Sequence, residues 1–162
     1  MMSKIITILI LIFQFTLTFI AIFCIYMLFA LLDNDFGIDG LFGLFIFQPI
    51  FGVVLSILTI IVCLIVGLPI RLNKKLNHWW ITNFYISIIG TFCGLTLLIF
   101  ALVPIFNETI TIITENGQET LKHIPNSTLS YIGWFLTAFS LLHIYPPRQL
   151  TENIKKLTGK KR

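Results

Sequence analysis

The stretch IITILILIFQFTLTFIAIFCIYMLFALL, Ile5 to Leu32, decides the class of this chain. Its 28 residues contain no charge, no glycine and no proline. About 20 apolar residues are enough to cross roughly 30 Å of hydrocarbon as a helix. The stretch is longer than the apolar core of a signal peptide, about 7–15 residues. Leu31-Leu32-Asp33 stands where a small-residue cleavage site would follow. A retained transmembrane helix is therefore expected.

Three more stretches read the same way. They run from Leu44 to Ile70, from Ile81 to Phe106, and from Thr128 to Tyr145, the last being the shortest. The expected fold is an all-α membrane protein: a bundle of four transmembrane helices over residues 1–147 and a basic tail over 148–162. Composition agrees. The chain is 57% hydrophobic and 11% charged, with a mean hydropathy of +0.95. Soluble domains carry about a quarter charged residues, so a soluble enzyme and a disordered chain are both excluded.

The few charges sort by sign. Lys4, Arg71, Lys74, Lys75, Arg148, Lys155, Lys156, Lys160, Lys161 and Arg162 flank the spans on one side, and among the basic residues only Lys122 does not. Asp33, Asp35, Asp39, Glu108, Glu115 and Glu119 fall on the other side, with Glu152 as the acidic exception. Basic residues in short loops stay cytoplasmic. Both termini are expected inside, and the 33–40 and 107–126 loops outside. Abundant Ile, Phe, Asn and Lys suits an AT-rich bacterial genome, hence a plasma (inner) membrane. The net charge of +4 is read as topology, since it lacks the basic face of a nucleic-acid binder.

The loops carry local signals. Gln48-Pro49 allows three arrangements: a span starting near Pro49 with Leu41–Phe47 in the interface, one long helix kinked at Pro49, or a re-entrant segment. Arg71 to Trp80 reads as the cytoplasmic loop of a helical hairpin. Trp79 and Trp80 suit the aromatic belt at headgroup level. Thr109–Thr114 is β-branched and largely alternating, Asn116-Gly117 is a strong hairpin signal, and Glu119–Ile124 returns. A two-stranded hairpin is expected there. In the tail, Leu150, Ile154 and Leu157 share a helical face. Lys155, Lys156, Lys160 and Lys161 are expected to meet anionic inner-leaflet lipids.

Small residues repeat at helical spacing in every span. The seams are Gly52, Ser56, Thr59, Cys63 and Gly67 in the second span, Ser87, Gly90, Gly94 and Ala101 in the third, and Ser130, Gly133, Thr137 and Ser140 in the fourth. A looser one, Gln14, Thr18, Ala21 and Ile25, marks the first. Such seams let helices approach closely in lipid. Gly52, Ser56, Gly90, Gly94 and Gly133 are the expected packing positions, with Gly90 and Gly94 as contacts for a partner in the bilayer.

Chemistry is sparse. No Asp, Glu, Lys or Arg lies inside a span, which disfavours ion-coupled transport and intramembrane acid–base catalysis. Gln14 is expected to bond a neighbouring helix. Cys24, Cys63 and Cys93 form no Cys-x-x-Cys pair and are expected as buried small hydrophobes. His78 and His143 could hold haem only if both sat deep in the bundle, and interfacial positions are expected instead. No catalytic residue, metal site or cofactor is expected. The expected function is non-enzymatic association with a membrane partner, either a second copy of the chain or another membrane protein. An oligomeric pore or carrier for a neutral or small solute is the alternative.

Overall fold

The computed structural model describes residues 2–32, 42–113 and 119–145. The acidic 33–40 loop, the 115–118 turn, and the tail with Lys155, Lys156, Lys160 and Lys161 lie outside the described residues.

Helix α1, Met2–Leu32, is uninterrupted, as a run without Gly or Pro allows. A π-helical segment, Gly43–Phe47, leads directly into α2, Gln48–Leu72. Pro49 sits in the first turn of α2, and having no N–H it makes no bond back to the preceding π-helical turn. The widened turn lets the chain pass Pro49 without ending the helix, so the region is one continuous helical rod.

Arg71 to Trp80 is not a simple loop. Asn73 Oδ1 accepts from the Lys75 and Leu76 N–H groups and starts helix α3, Lys74–Thr82. An Asn at this position satisfies two donors that a helix start leaves open. Helix α4 then covers only Tyr85–Leu102, so the expected span from Ile81 to Phe106 is shortened at both ends. Thr82 Oγ1 donates to the His78 carbonyl and Asn83 Nδ2 to the Trp79 carbonyl, at 2.8 and 2.9 Å. Side chains that bond backward in this way compete with helix continuation. At the other end Val103 is extended, and Pro104–Phe106 forms a 3-10 turn.

Strands β1, Glu108–Ile113, and β2, Glu119–Ile124, pair antiparallel, with Glu108 opposite Ile124 and Ile113 opposite Glu119. Helix α5, Ser127–Leu142, follows. The described chain is thus mostly helical, with a small two-stranded sheet.

Three helices are long and apolar enough to cross a membrane: Ile8–Leu32, Gly43–Leu72 and Tyr85–Leu102. Helix α5 is apolar but has 16 residues, about 24 Å at 1.5 Å per residue. That is short of the roughly 30 Å of a hydrocarbon core. Yet α5 is central. It packs against α1, α2 and α4, while α1 also packs against α2. Helices α1, α2 and α5 meet in a core of Ile22, Ile60, Cys63, Ala138 and Leu142.

Bulky side chains such as Phe51, Ile65, Phe92 and Ile99 face outward. This inverts a soluble fold and suits a lipid surround, in which apolar surface needs no cover. The cysteines do not all follow the expectation. Cys63 is buried in the core, but Cys24 and Cys93 are exposed on helix surfaces. A small apolar side chain is at no disadvantage facing lipid, so hydrophobicity alone could not place them inside.

Candidate functional site

The small-residue positions are where backbones meet. A Cβ added to Gly94 would lie 2.7 Å from the Thr137 nitrogen and 2.9 Å from the Gly133 oxygen. One added to Gly133 would lie 2.8 Å from the Gly94 oxygen. Gly90 faces the Ser140 side chain. Both glycines of Gly90-x-x-x-Gly94 are thus occupied by α5 of the same chain. In α2 the buried residues are Gly52, Ser56, Thr59, Ile60, Cys63 and Gly67. Gly52 lies against Tyr26 and Phe23 of α1. The Trp134 indole N–H donates to Thr59 Oγ1 at 3.0 Å.

The C-terminal end of α5 is the most densely bonded place in the described residues. A helix leaves its last four carbonyls without internal partners. In an apolar surround each would cost several kcal/mol if left bare. Here the Phe139, Ser140 and Leu141 carbonyls accept from the N–H groups of His143 and Ile144, and other helices supply donors from Leu142 onward. Arg71 Nη2 of α2 donates to the Leu142 carbonyl at 3.2 Å. The His143 carbonyl accepts from Trp80 Nε1 of α3 at 2.9 Å and from Ser87 Oγ of α4 at 2.8 Å. Gln14 Nε2 of α1 donates to the Ile144 carbonyl. Every other helix contributes one side chain to this node.

His143 is part of the node. It is fully buried. Its Nδ1 lies 2.8 Å from the Phe139 carbonyl, which fixes that nitrogen as the donor. The rest of the ring rests on Gly67, where any side chain would collide with Nε2 and Cε1. Trp80 and Phe139 pack against the ring. His143 is therefore enclosed within the bundle, whereas His78 is exposed on α3.

The N-terminal end of α5 is held in the same manner. Asn126 Oδ1 accepts from the Leu129 N–H at 2.9 Å. The Glu108 carboxylate, from the start of β1, accepts from the Ser127 N–H at 3.2 Å and from Ser127 Oγ at 2.8 Å. A carboxylate at a helix N-terminus also meets the positive end of its dipole. The Asn126 nitrogen donates to the Ala101 carbonyl at 3.0 Å, tying this end to α4.

Of the residues singled out from the sequence, Gly90, Gly94 and Gly133 come together, and Gly52 and Ser56 lie on the buried face of α2. Trp79 is exposed, while Trp80 turns inward onto the α5 terminus. The roles of Arg71, Glu108 and His143 had no sequence signal beyond residue type, because each depends on a partner distant in the chain. Asn73 and Asn126 were findable, as Asn before a run of helix formers is a start signal.

Most donors of the node go to carbonyls of the same chain, but Arg71 Nε and His143 Nε2 are buried with no hydrogen-bond partner among the described residues. Among the described residues no group of three or more His, Cys, Asp or Glu is placed to hold a metal ion. What the arrangement does chemically is fix a short helix at both ends. Compared with protein-family models, with curated proteins and with solved structures, the chain matches none of them.

Proposed function

We propose that this chain is a non-enzymatic, four-span integral membrane protein that acts as an accessory subunit by associating with a membrane partner. In this reading α5 is the fourth span, both termini are cytoplasmic, the hairpin is outside, and the membrane is the plasma (inner) membrane. The charge sorting supports the orientation. The node supports the fourth span, since it compensates the carbonyls of a helix too short to reach the far interface.

The observation that carries the partner reading is the first part of α1. Gln14 meets the end of α5, so the residues before it extend past that helix. Ile8, Leu9, Leu11, Ile12 and Phe13 are 46–62% exposed. At 3.6 residues per turn these positions span an arc of about 200°, so this broad side of the segment is not covered by its own chain, while Ile10 on the opposite side is half-buried. Because Gly90 and Gly94 are engaged by α5, the partner contact is assigned to α1 before Gln14. The basic tail would add attraction to anionic inner-leaflet lipids.

Photo-crosslinkers at Leu9, Ile12 and Phe13 test this in native membranes. A discrete adduct with a second copy or with one other membrane protein is expected from these sites and not from Phe92. Lipid adducts alone from all of them would reject the reading. For the tail, changing Lys155, Lys156, Lys160 and Lys161 together to Gln should weaken binding to anionic liposomes. The pore alternative predicts that a water-soluble thiol reagent labels cysteines placed at Ser56, Thr59 and Gly94. Silence there favours a packed bundle, in keeping with the Trp134–Thr59 bond.

A further inference from the structure

Helix α3 stands between α2 and α4, both long and apolar enough to cross a membrane. It therefore lies at the surface where one leaves the hydrocarbon and the other enters it. At 100° per residue its side chains divide into three sectors. Asn77 and Trp80 turn toward the bundle. Asn77 Nδ2 donates to the Arg71 carbonyl at 3.4 Å, and Trp80 Nε1 donates to the His143 carbonyl at 2.9 Å. With that sector held by the bundle, the other two have a fixed aim. Leu76 and Trp79 form an apolar sector, 44% and 51% exposed, and Leu72 at the preceding end of α2 is 77% exposed. Lys74, Lys75, His78 and Thr82 form a polar sector, which is exposed as well.

Two observations say what covers this surface. The first is the division itself. An exposed apolar sector beside an exposed basic one suits a helix lying in the headgroup layer, with its apolar side toward the acyl chains. The second is charge. Lys74 and Lys75 stand in the first turn of α3, which holds no acidic residue, and a positive charge there opposes the helix dipole. Glu108 and Glu119, the acidic residues among the described ones, belong to the hairpin at the far end of α4. Two cations that the described chain does not compensate are complementary to an anionic leaflet.

We infer that α3 is a docking helix for anionic phospholipid. Lys74 and Lys75 meet the headgroups of an anionic bilayer surface, and Leu76 and Trp79 enter the acyl layer beneath them. This surface is separate from the basic tail. It requires neither a particular orientation of the chain nor a partner at α1.

The test uses the full chain with Lys155, Lys156, Lys160 and Lys161 changed to Gln, so that those lysines cannot contribute. In neutral detergent, phosphatidylglycerol and phosphatidylcholine are titrated separately, and bound lipid is counted by native mass spectrometry. Phosphatidylglycerol should bind more tightly, by about fivefold for each lysine it meets. Changing Lys74 and Lys75 together to Gln should remove most of that preference, and changing both to Arg should keep it. Equal binding of the two lipids, or a preference undiminished by the Gln pair, overturns the inference. Glycerol 3-phosphate competing as strongly as the lipid would show a free-anion site and overturn it too. In bilayers, phosphatidylcholine brominated in its acyl chains should quench a larger fraction of indole emission in this chain than in its Trp79→Phe variant. Equal fractions would place Trp79 outside the acyl layer and overturn the seating of α3.

Discussion

Gly94 and Gly133 face each other with their backbones in direct contact, and neither position has room for a methyl group. A Cβ on either would stand 2.7–2.9 Å from backbone atoms of the opposing helix. Backbone cannot swing aside as a side chain can, so α4 and α5 would have to separate. Gly94→Ala and Gly133→Ala are each expected to destabilise the protein by about 1–3 kcal/mol, the usual cost of overpacking. Unfolding in a denaturing detergent would measure this. Gly43→Ala is the control: nothing lies within 4 Å of its added Cβ, and better helix propensity should make it neutral or stabilising by up to about 1 kcal/mol. Equal losses at Gly43 and Gly94 would refute the contact as the cause.

The His143 carbonyl has two donors, Trp80 Nε1 and Ser87 Oγ. Removing either leaves the other, so Trp80→Phe and Ser87→Ala should each cost little, about 0.6 kcal/mol in an apolar surround. Together they leave the carbonyl bare and should cost more than the sum of the single losses, by about 1 kcal/mol. Strict additivity in a double-mutant cycle would speak against the shared acceptor.

Gly67 exists to admit a ring. Gly67→Ala would push His143 off α2, and a loss of at least about 1 kcal/mol is expected. The collision disappears when the ring does. The Gly67→Ala, His143→Ala double variant should therefore be less impaired than the two single losses added together. If it is not, the glycine serves some purpose other than making space.

Glu108 reaches from the hairpin to the start of α5. Glu108→Gln weakens a charge-assisted cap and should cost about 0.5–1 kcal/mol. Protease should then cut the hairpin more readily under native conditions. Ser127→Ala should add little once Glu108 has been replaced, and a full additional loss would uncouple the two.

Thiol labelling offers a check on the faces. In detergent, a small apolar maleimide should modify Cys24 and Cys93 well before Cys63, which is 2% exposed. Protection of Cys24 on addition of a partner would place that partner on α1. Early reaction of Cys63 would mean that the core is not packed as described.

Much of this was legible in the residue order. A run such as Ile5 to Leu32 has few physical options, and the β-branched 109–113 segment with its returning partner can hardly avoid pairing. The seams were legible because close approach in lipid selects small side chains at spacings of three and four. What was hidden depended on distance. Nothing near Gln14 announces Ile144, and nothing near Glu108 announces Ser127. The break at Asn83 was missed because an apolar average runs smoothly across it, while the backward bonds of Thr82 and Asn83 do not enter such an average. Cys24 and Cys93 were misplaced because lipid and protein interior reward the same side chain.

The position of α5 in the chain has a consequence for biogenesis. The helix that touches α1, α2 and α4 follows all of them in sequence. During synthesis the earlier helices enter the bilayer with their common neighbour still inside the ribosome. The donors on Gln14, Arg71, Trp80 and Ser87 then await carbonyls that do not yet exist. The pairing of α1 with α2 can precede the arrival of α5, but α4 joins them through α5, so a nascent chain stopped before Asn126 would carry an α1–α2 pair to which α4 is not yet docked.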